Sequence, residues 1–130
     1  IRVLFRSEIE PNLLWRTKKM KNLLSSSILI DGFLYGFHNS ILNCVDFETG
    51  KVQWSHRGFK RGSVFSADGK LVIYGERGTL AIAELSSEGY AELSSAKRFG
   101  GNKTWSIPTL SRGRLFVRND EELICLDLMP

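Results

Sequence analysis

The chain is poor in the residues that usually announce chemistry. Among 130 residues there are two cysteines and two histidines. There is no Cys-x-x-Cys and no paired histidine, so the sequence offers no recognisable metal-ligand spacing. No apolar run reaches the roughly 18 residues needed to cross a membrane as a helix. No signal peptide is visible, which says nothing about export if a longer chain precedes Ile1. Helical periodicity is nowhere sustained. The best helical stretch, 84–97, is Ser-rich and interrupted by Gly89, and reads as strand, long turn, strand. With 42% hydrophobic residues the chain is globular in composition, and its length suits one ordinary domain.

What is present is repetition. Three apolar alternating segments align on a hairpin turn: Ile28 to Tyr35 around Asp31-Gly32, Phe65 to Tyr74 around Asp68-Gly69, and Thr109 to Val117 around Arg112-Gly113. Asp-Gly between alternating apolar runs is a strong short-range hairpin signal. The turn glycines Gly32, Gly69 and Gly113 lie 37 and 44 residues apart. A further strand pair follows each hairpin, with Ser40–Asp46, Gly78–Glu84 and Glu122–Asp127 in the same slot. A period near 40 with four strands per unit predicts propeller blades.

The strongest copy runs from Cys44 to Trp54. Val45 and Phe47 alternate with Cys44 and Asp46, Glu48-Thr49-Gly50 turns the chain, and Val52 and Trp54 resume the alternation. This segment resembles the tryptophan-docking motif of quinoprotein-type β-propellers, the PQQ-like repeats named after pyrroloquinoline quinone (PQQ). That family pattern is a small residue, Asp two positions on, Thr-Gly, then Trp four after the Gly. Cys44, Asp46, Thr49, Gly50 and Trp54 match it position by position. In the second copy Ser87 and Glu88 stand for Thr and Gly, Gly89 is shifted by one, and Glu92 replaces the tryptophan. The third copy stops at Asp127-Leu128-Met129-Pro130, before a fourth strand. At the other end, Arg2–Phe5 and Asn12–Arg16 read as the outer two strands of a blade, with Trp15 in the role of Trp54.

The resemblance therefore implies an all-β, incomplete β-propeller of four-stranded antiparallel blades. The expected limits are an outer half blade at 1–17, blades at 18–57 and 58–98, and a three-stranded blade at 99–130. Propellers close with about 4–8 blades, so remaining blades are expected upstream in a longer bacterial protein. Leu34–Asp46, Trp54, Ser66–Arg77 and Trp105–Asp127 also resemble the C-terminal part of PQQ-like repeat proteins of environmental bacteria. Relatives of this kind divide into quinoprotein alcohol dehydrogenases and non-catalytic scaffolds, among them the propeller lipoproteins that help assemble outer-membrane β-barrels. Family resemblance favours a periplasmic or secreted location.

Two readings of function follow. The first is an interaction scaffold with a protein partner, no catalytic residue and no cofactor of its own. The alternative is the C-terminal part of a PQQ-dependent dehydrogenase whose catalytic residues lie outside this segment. The dehydrogenases carry adjacent cysteines and a calcium ion beside the quinone. This chain has no Cys-Cys pair, and Asp46 and Asp127 match the structural Asp of the docking motif. Asp46 is expected to accept hydrogen bonds at its own turn, and Asp120-Glu121-Glu122 to be solvated.

Candidate contact residues come from what the repeats leave over. Trp105 aligns with the start of an innermost strand, where it could stack on a ring-shaped ligand or peptide, or cap Pro108 locally. His56-Arg57-Gly58-Phe59-Lys60-Arg61 concentrates part of the net charge of +4 in a connection between blades. It reads as a solvated loop, or as an anion patch with Phe59 interleaved; Arg57, Lys60 and Arg61 are its candidate contacts, and no nucleic-acid partner is expected. Lys18, Lys19 and Lys21 recur one unit earlier. The tips His38-Asn39, Glu76-Arg77 and Asn119-Asp120 are expected to face solvent. Cys44 and Cys125 occupy one repeat slot, expected to be buried, and too far apart to pair.

Overall fold

The computed structural model describes residues 12–97 and 103–129. Eleven strands form three antiparallel sheets: β1 (Ile28–Ile30), β2 (Phe33–His38), β3 (Ile41–Asp46) and β4 (Val52–Arg57); β5 (Gly62–Ala67), β6 (Lys70–Gly75), β7 (Thr79–Glu84) and β8 (Glu92–Lys97); β9 (Thr109–Ser111), β10 (Arg114–Arg118) and β11 (Leu123–Asp127). Within each sheet the spatial order follows the sequence, because every connection is a hairpin. The first hairpin of each sheet has the same turn. Asp31-Gly32, Asp68-Gly69 and Arg112-Gly113 all take positive φ at both positions, between 48° and 81°. That is the type I′ geometry whose twist matches the strands it joins, and glycine supplies the second position without strain.

Register makes the three sheets equivalent residue by residue. Phe33 pairs with Asp46, Lys70 with Glu84 and Arg114 with Asp127. Tyr35 pairs with Cys44, Val72 with Ile82 and Phe116 with Cys125. In the first two sheets a bulge follows, between Cys44 and Val45 and between Ile82 and Ala83.

The sheets pack face to face. One core joins Tyr35, Phe37, Leu42, Cys44 and Trp54 of the first sheet to Val64, Leu71, Ile73, Ala81 and Ala83 of the second. The other joins Val72, Tyr74 and Leu80 of the second sheet to Leu115 and Val117 of the third. The second sheet is thus covered on both sides. Leu71 and Ile73 face one neighbour while Val72 and Tyr74 face the other, which explains why β6 reads as a continuous apolar run.

Four expectations are corrected here. The 84–97 segment does fold as strand, long turn, strand, but the residue that takes the place of tryptophan is Ser94, not Glu92. Trp54 pairs with Cys44 and Ser94 with Ile82, whereas Glu92 pairs with Ala83 as Val52 does with Val45. Asp46 N–H donates to Lys51 O across the four-residue turn 47–50, but Glu84 N–H donates to Ala91 O across six residues, 85–90. Two extra turn residues move the register. Second, Cys125 is exposed while Cys44 is fully buried. The slot is buried only by the sheet that packs on it, and among the described residues nothing packs on that side of β11. Third, residues 12–17 carry no strand; the partner expected for them, Arg2–Phe5, lies outside the described residues. Finally, Asn119 is buried, its Oδ1 accepting from Glu121 N–H at 2.8 Å and Glu122 N–H at 2.7 Å, so it braces the turn before β11.

Candidate partner-binding site

The motif residues around Cys44–Trp54 form a tight local structure. Asp46 Oδ1 accepts from Glu48 N–H and Thr49 N–H, both at 2.9 Å, and Thr49 Oγ1 accepts from Lys51 N–H at 3.3 Å. Gly50, at φ 74°, lies directly under the half-buried Trp15; a methyl group there would stand 2.6 Å from the indole. Trp15 Nε1–H donates to Phe47 O at 2.8 Å. Trp54 repeats this contact one sheet on, donating to Ser86 O at 2.8 Å, and is 9% exposed. It leans on Tyr35 and Tyr90, each with ring centroids 6.1 Å away. These are packing contacts. The Cys44 thiol beside them is pushed up to about 11 by burial, which leaves it protonated and unreactive at neutral pH.

The basic connection divides. Phe59 is 5% exposed and packs edge-on against Phe37 and Tyr90, so this stretch is an anchored link and not a solvated loop. Arg57 and Lys60 remain exposed and line a shallow crevice of about 230 Å³ with Ser40 and Gly58. Arg61 is partly buried, and its carbonyl accepts Glu76 N–H at 2.7 Å, pinning the start of β5 to the end of β6.

Trp105 lies where the second and third sheets meet. Thr104 is buried and fastens the segment to the end of β6: its Oγ1–H donates to Gly75 O at 2.6 Å and its N–H to Glu76 O at 2.9 Å. Trp105 Nε1–H donates to Glu76 Oε2 at 3.1 Å, and Lys103 Nζ sits 4.7 Å from the ring centroid. Fixed at its edge and held by a cation, the indole is still 49% exposed. It walls a crevice of about 180 Å³ with Lys103, Ser106, Arg118, Asn119 and Asp120. Beneath the crevice, Tyr74 O–H donates to Arg118 O at 3.4 Å, its phenol pushed up to about 12 by burial. Ser63, paired with Tyr74 across β5 and β6, keeps a buried hydroxyl with no partner among the described residues.

The structure therefore brings Trp105 together with Glu76, Lys103 and Arg118, and keeps Arg57 and Lys60 in a separate crevice. Glu76 reads in the sequence as a solvated tip; nothing local signals that it steadies an indole 29 residues away. Lys103 and Arg118 likewise carry no motif. The exposed indole face is thus bordered by a cation, an amide and a carboxylate.

Comparison with known proteins bears on the fold. No protein-family model and no curated protein sequence matches the chain. Among solved structures, the chain is similar to the crystal structure of BamB from Moraxella catarrhalis, a β-propeller, with a TM-score of 0.67 at 14% identity over 80% of the chain. It is part of a β-propeller. The chain spans 33% of the length of the BamB chain that it matches.

Proposed function

We propose that this chain belongs to a non-catalytic propeller of PQQ-like repeats, an interaction scaffold whose partner is a protein anchored on Trp105. The observation that carries this is a half-exposed tryptophan held rigid by Glu76 and Lys103 at a seam between sheets. Tryptophan and arginine dominate the energetics of protein interfaces, and a pre-ordered ring loses little entropy when it binds. Arg57, Lys60 and Arg61 supply a second, electrostatic contact that steers an acidic partner. The docking roles of Trp15 and Trp54 are supported by their matching hydrogen bonds. Blade limits at 1–17, 18–57, 58–98 and 99–130, further blades upstream and a periplasmic or secreted location belong to the same reading.

A quinone is the cofactor that the wider family would bring. The described residues do not fit it: no group of three or more His, Cys, Asp or Glu converges, and no adjacent cysteines occur.

The reading is tested in the complete parent protein, in its own cells, by placing a photo-crosslinking amino acid at position 105 and, as control, at the exposed Leu93. A discrete protein adduct from position 105 alone is expected. The identified partner should then bind Trp105→Ala at least roughly tenfold more weakly with the melting temperature unchanged. Identical adducts from both positions, or none from 105, would overturn the proposal.

A further inference from the structure

The two seams differ at three neighbouring repeat positions. In the first, Trp54 fills the space beside Tyr35 and Cys44 and reaches a backbone carbonyl of the next sheet. In the second, the equivalents of Tyr35, Cys44 and Trp54 are Val72, Ile82 and Ser94. The phenol ring has become an isopropyl group and the indole a hydroxymethyl group. A cavity of about 560 Å³ lies over two of these three positions, lined by Val72 and Ile82 on one side and Leu110, Gly113, Leu128 and Met129 on the other, while Ser94 on the neighbouring strand pairs with Ile82 but does not itself line it. Its volume falls in the roughly 300–1,000 Å³ range of ligand sites.

The carbonyl that would receive an indole N–H is also in place. Leu128 follows Asp127 as Phe47 follows Asp46, and Leu128 N–H donates to Gly113 O at 2.8 Å as Phe47 N–H does to Gly32 O at 3.0 Å. Phe47 O is the acceptor for Trp15. Apolar side chains at the site remain exposed, Leu128 by 40% and Met129 by 65%. The charged lining consists of Asp68, Lys70 and Arg112. Lys70 pairs with Glu84 at 3.4 Å, and Asp68 and Arg112 make no ion pair among the described residues, so the mouth presents a carboxylate on the β5–β6 turn and a guanidinium on the β9–β10 turn.

We propose that this cavity is a socket for the tryptophan side chain of a partner polypeptide, supplied in trans where Trp54 is supplied in cis, with an acidic group beside that tryptophan facing Arg112. The apolar wall of Val72, Ile82, Leu110 and Leu128 gains more from a ring of matching shape than from water. The ring's single N–H would replace hydration of a backbone carbonyl. The site is separate from the Trp105 crevice and does not depend on it.

N-acetyltryptophan is the probe, titrated into the protein while the methyl resonances of Val72, Ile82 and Leu110 are followed. Saturable shifts confined to those methyls are expected at millimolar concentrations, the range for one side chain without its polypeptide. N-acetyltryptophanamide should bind more weakly; equal binding would remove the acidic flank from the proposal. Ser94→Trp fills the socket in cis: its added indole should show buried, blue-shifted emission, the melting temperature should rise, and the probe shifts should vanish. Val72→Tyr restores the residue of the first seam and should weaken the probe roughly tenfold or more. Absence of shifts in the parent chain, or shifts that persist unchanged in Ser94→Trp and Val72→Tyr, would overturn the proposal.

Discussion

Between the first and second sheets the seam is closed by rings: Tyr35, Phe37, Trp54 and Phe59, with Tyr90 packed against them. Between the second and third it is closed by Val72, Leu80, Leu115 and Val117 with one buried ring, Tyr74, and the half-buried Phe65 packed against them. The strand pairing beneath is the same. Repeat proteins therefore hold their backbone frame through hairpin turns and register, and decide seam by seam, at a few side-chain slots, whether the space becomes core or cavity. The slot held by Cys44, Ile82 and Cys125 shows the gradient, from fully buried through half-buried to exposed.

The largest contrast should appear in thiol chemistry. Cys125 is expected to react with a thiol reagent in the native protein, while Cys44 waits for opening of the first seam. With a stability of roughly 5 kcal/mol or more, that protection is on the order of a thousandfold. Mass-spectrometric labelling with time reads both sites. Equal rates would mean that the first seam is not closed.

Trp54→Ala should cost about 3–5 kcal/mol, the range for large aromatic side chains lost from a core. Ser94→Ala, at the equivalent position, should change stability by no more than about 0.5 kcal/mol. Denaturant melts of the two variants measure the difference, and similar losses would refute the contrast between seams.

A smaller effect separates the two turns. Gly50→Ala meets both a positive φ and the Trp15 ring, and should cost about 2 kcal/mol. Around Gly89 a methyl group meets nothing within 4 Å, so Gly89→Ala should be close to neutral. A tolerated Gly50→Ala would show that Trp15 does not rest there.

Much of this frame is legible in the residues, and the failures have physical causes. Asp31-Gly32, Asp68-Gly69 and Arg112-Gly113 announce their turns because the needed φ values are local properties of Gly and its neighbour. The Asp46-Thr49-Gly50 turn is local too. Ser94 could not be read as the tryptophan equivalent, since the two residues added between Leu85 and Tyr90 shift the count without leaving a composition signal. The exposure of Cys125 depends on which sheet packs against β11, and the burial of Phe59 on Phe37 and Tyr90 in other strands. Of the Trp105 site only the tryptophan itself stood out. Glu76, Lys103 and Arg118 meet it through chain crossings that no spacing rule encodes.

The smallest effect lies in pH. His56 stacks on Tyr90 with centroids 3.8 Å apart and leans on Phe59, at the outer edge of the first seam. Burial lowers its pKa below the ordinary value of 6.5, and Glu92 pulls the other way less strongly. Tyr90 O–H donates to Glu92 at 2.8 Å, and hydrogen bonds from Ser95 and Tyr90 hold that carboxylate below its usual range. The sign follows from which state takes the proton first. As pH falls below about 7 the unfolded chain protonates His56 before the folded chain does, so stability declines, and it levels off once the folded pKa is passed. Glu92 adds its own loss only below the ordinary carboxylate range. His38 is lowered in the same direction by burial and by Lys21 and Lys19, so it contributes a parallel slope from the same end of the sheet, two strands away. His56→Phe keeps a ring against Tyr90 and removes the proton. Its melting temperature should fall less than that of the parent chain between about pH 7 and 5, leaving the share that belongs to His38. The second seam has no histidine among its core residues, so its Tyr74 and Leu115 amides should exchange with no such pH dependence beyond the intrinsic one. A parent chain that gains stability on acidification would show that Glu92 outweighs burial and that the ring stack is held as an ion pair.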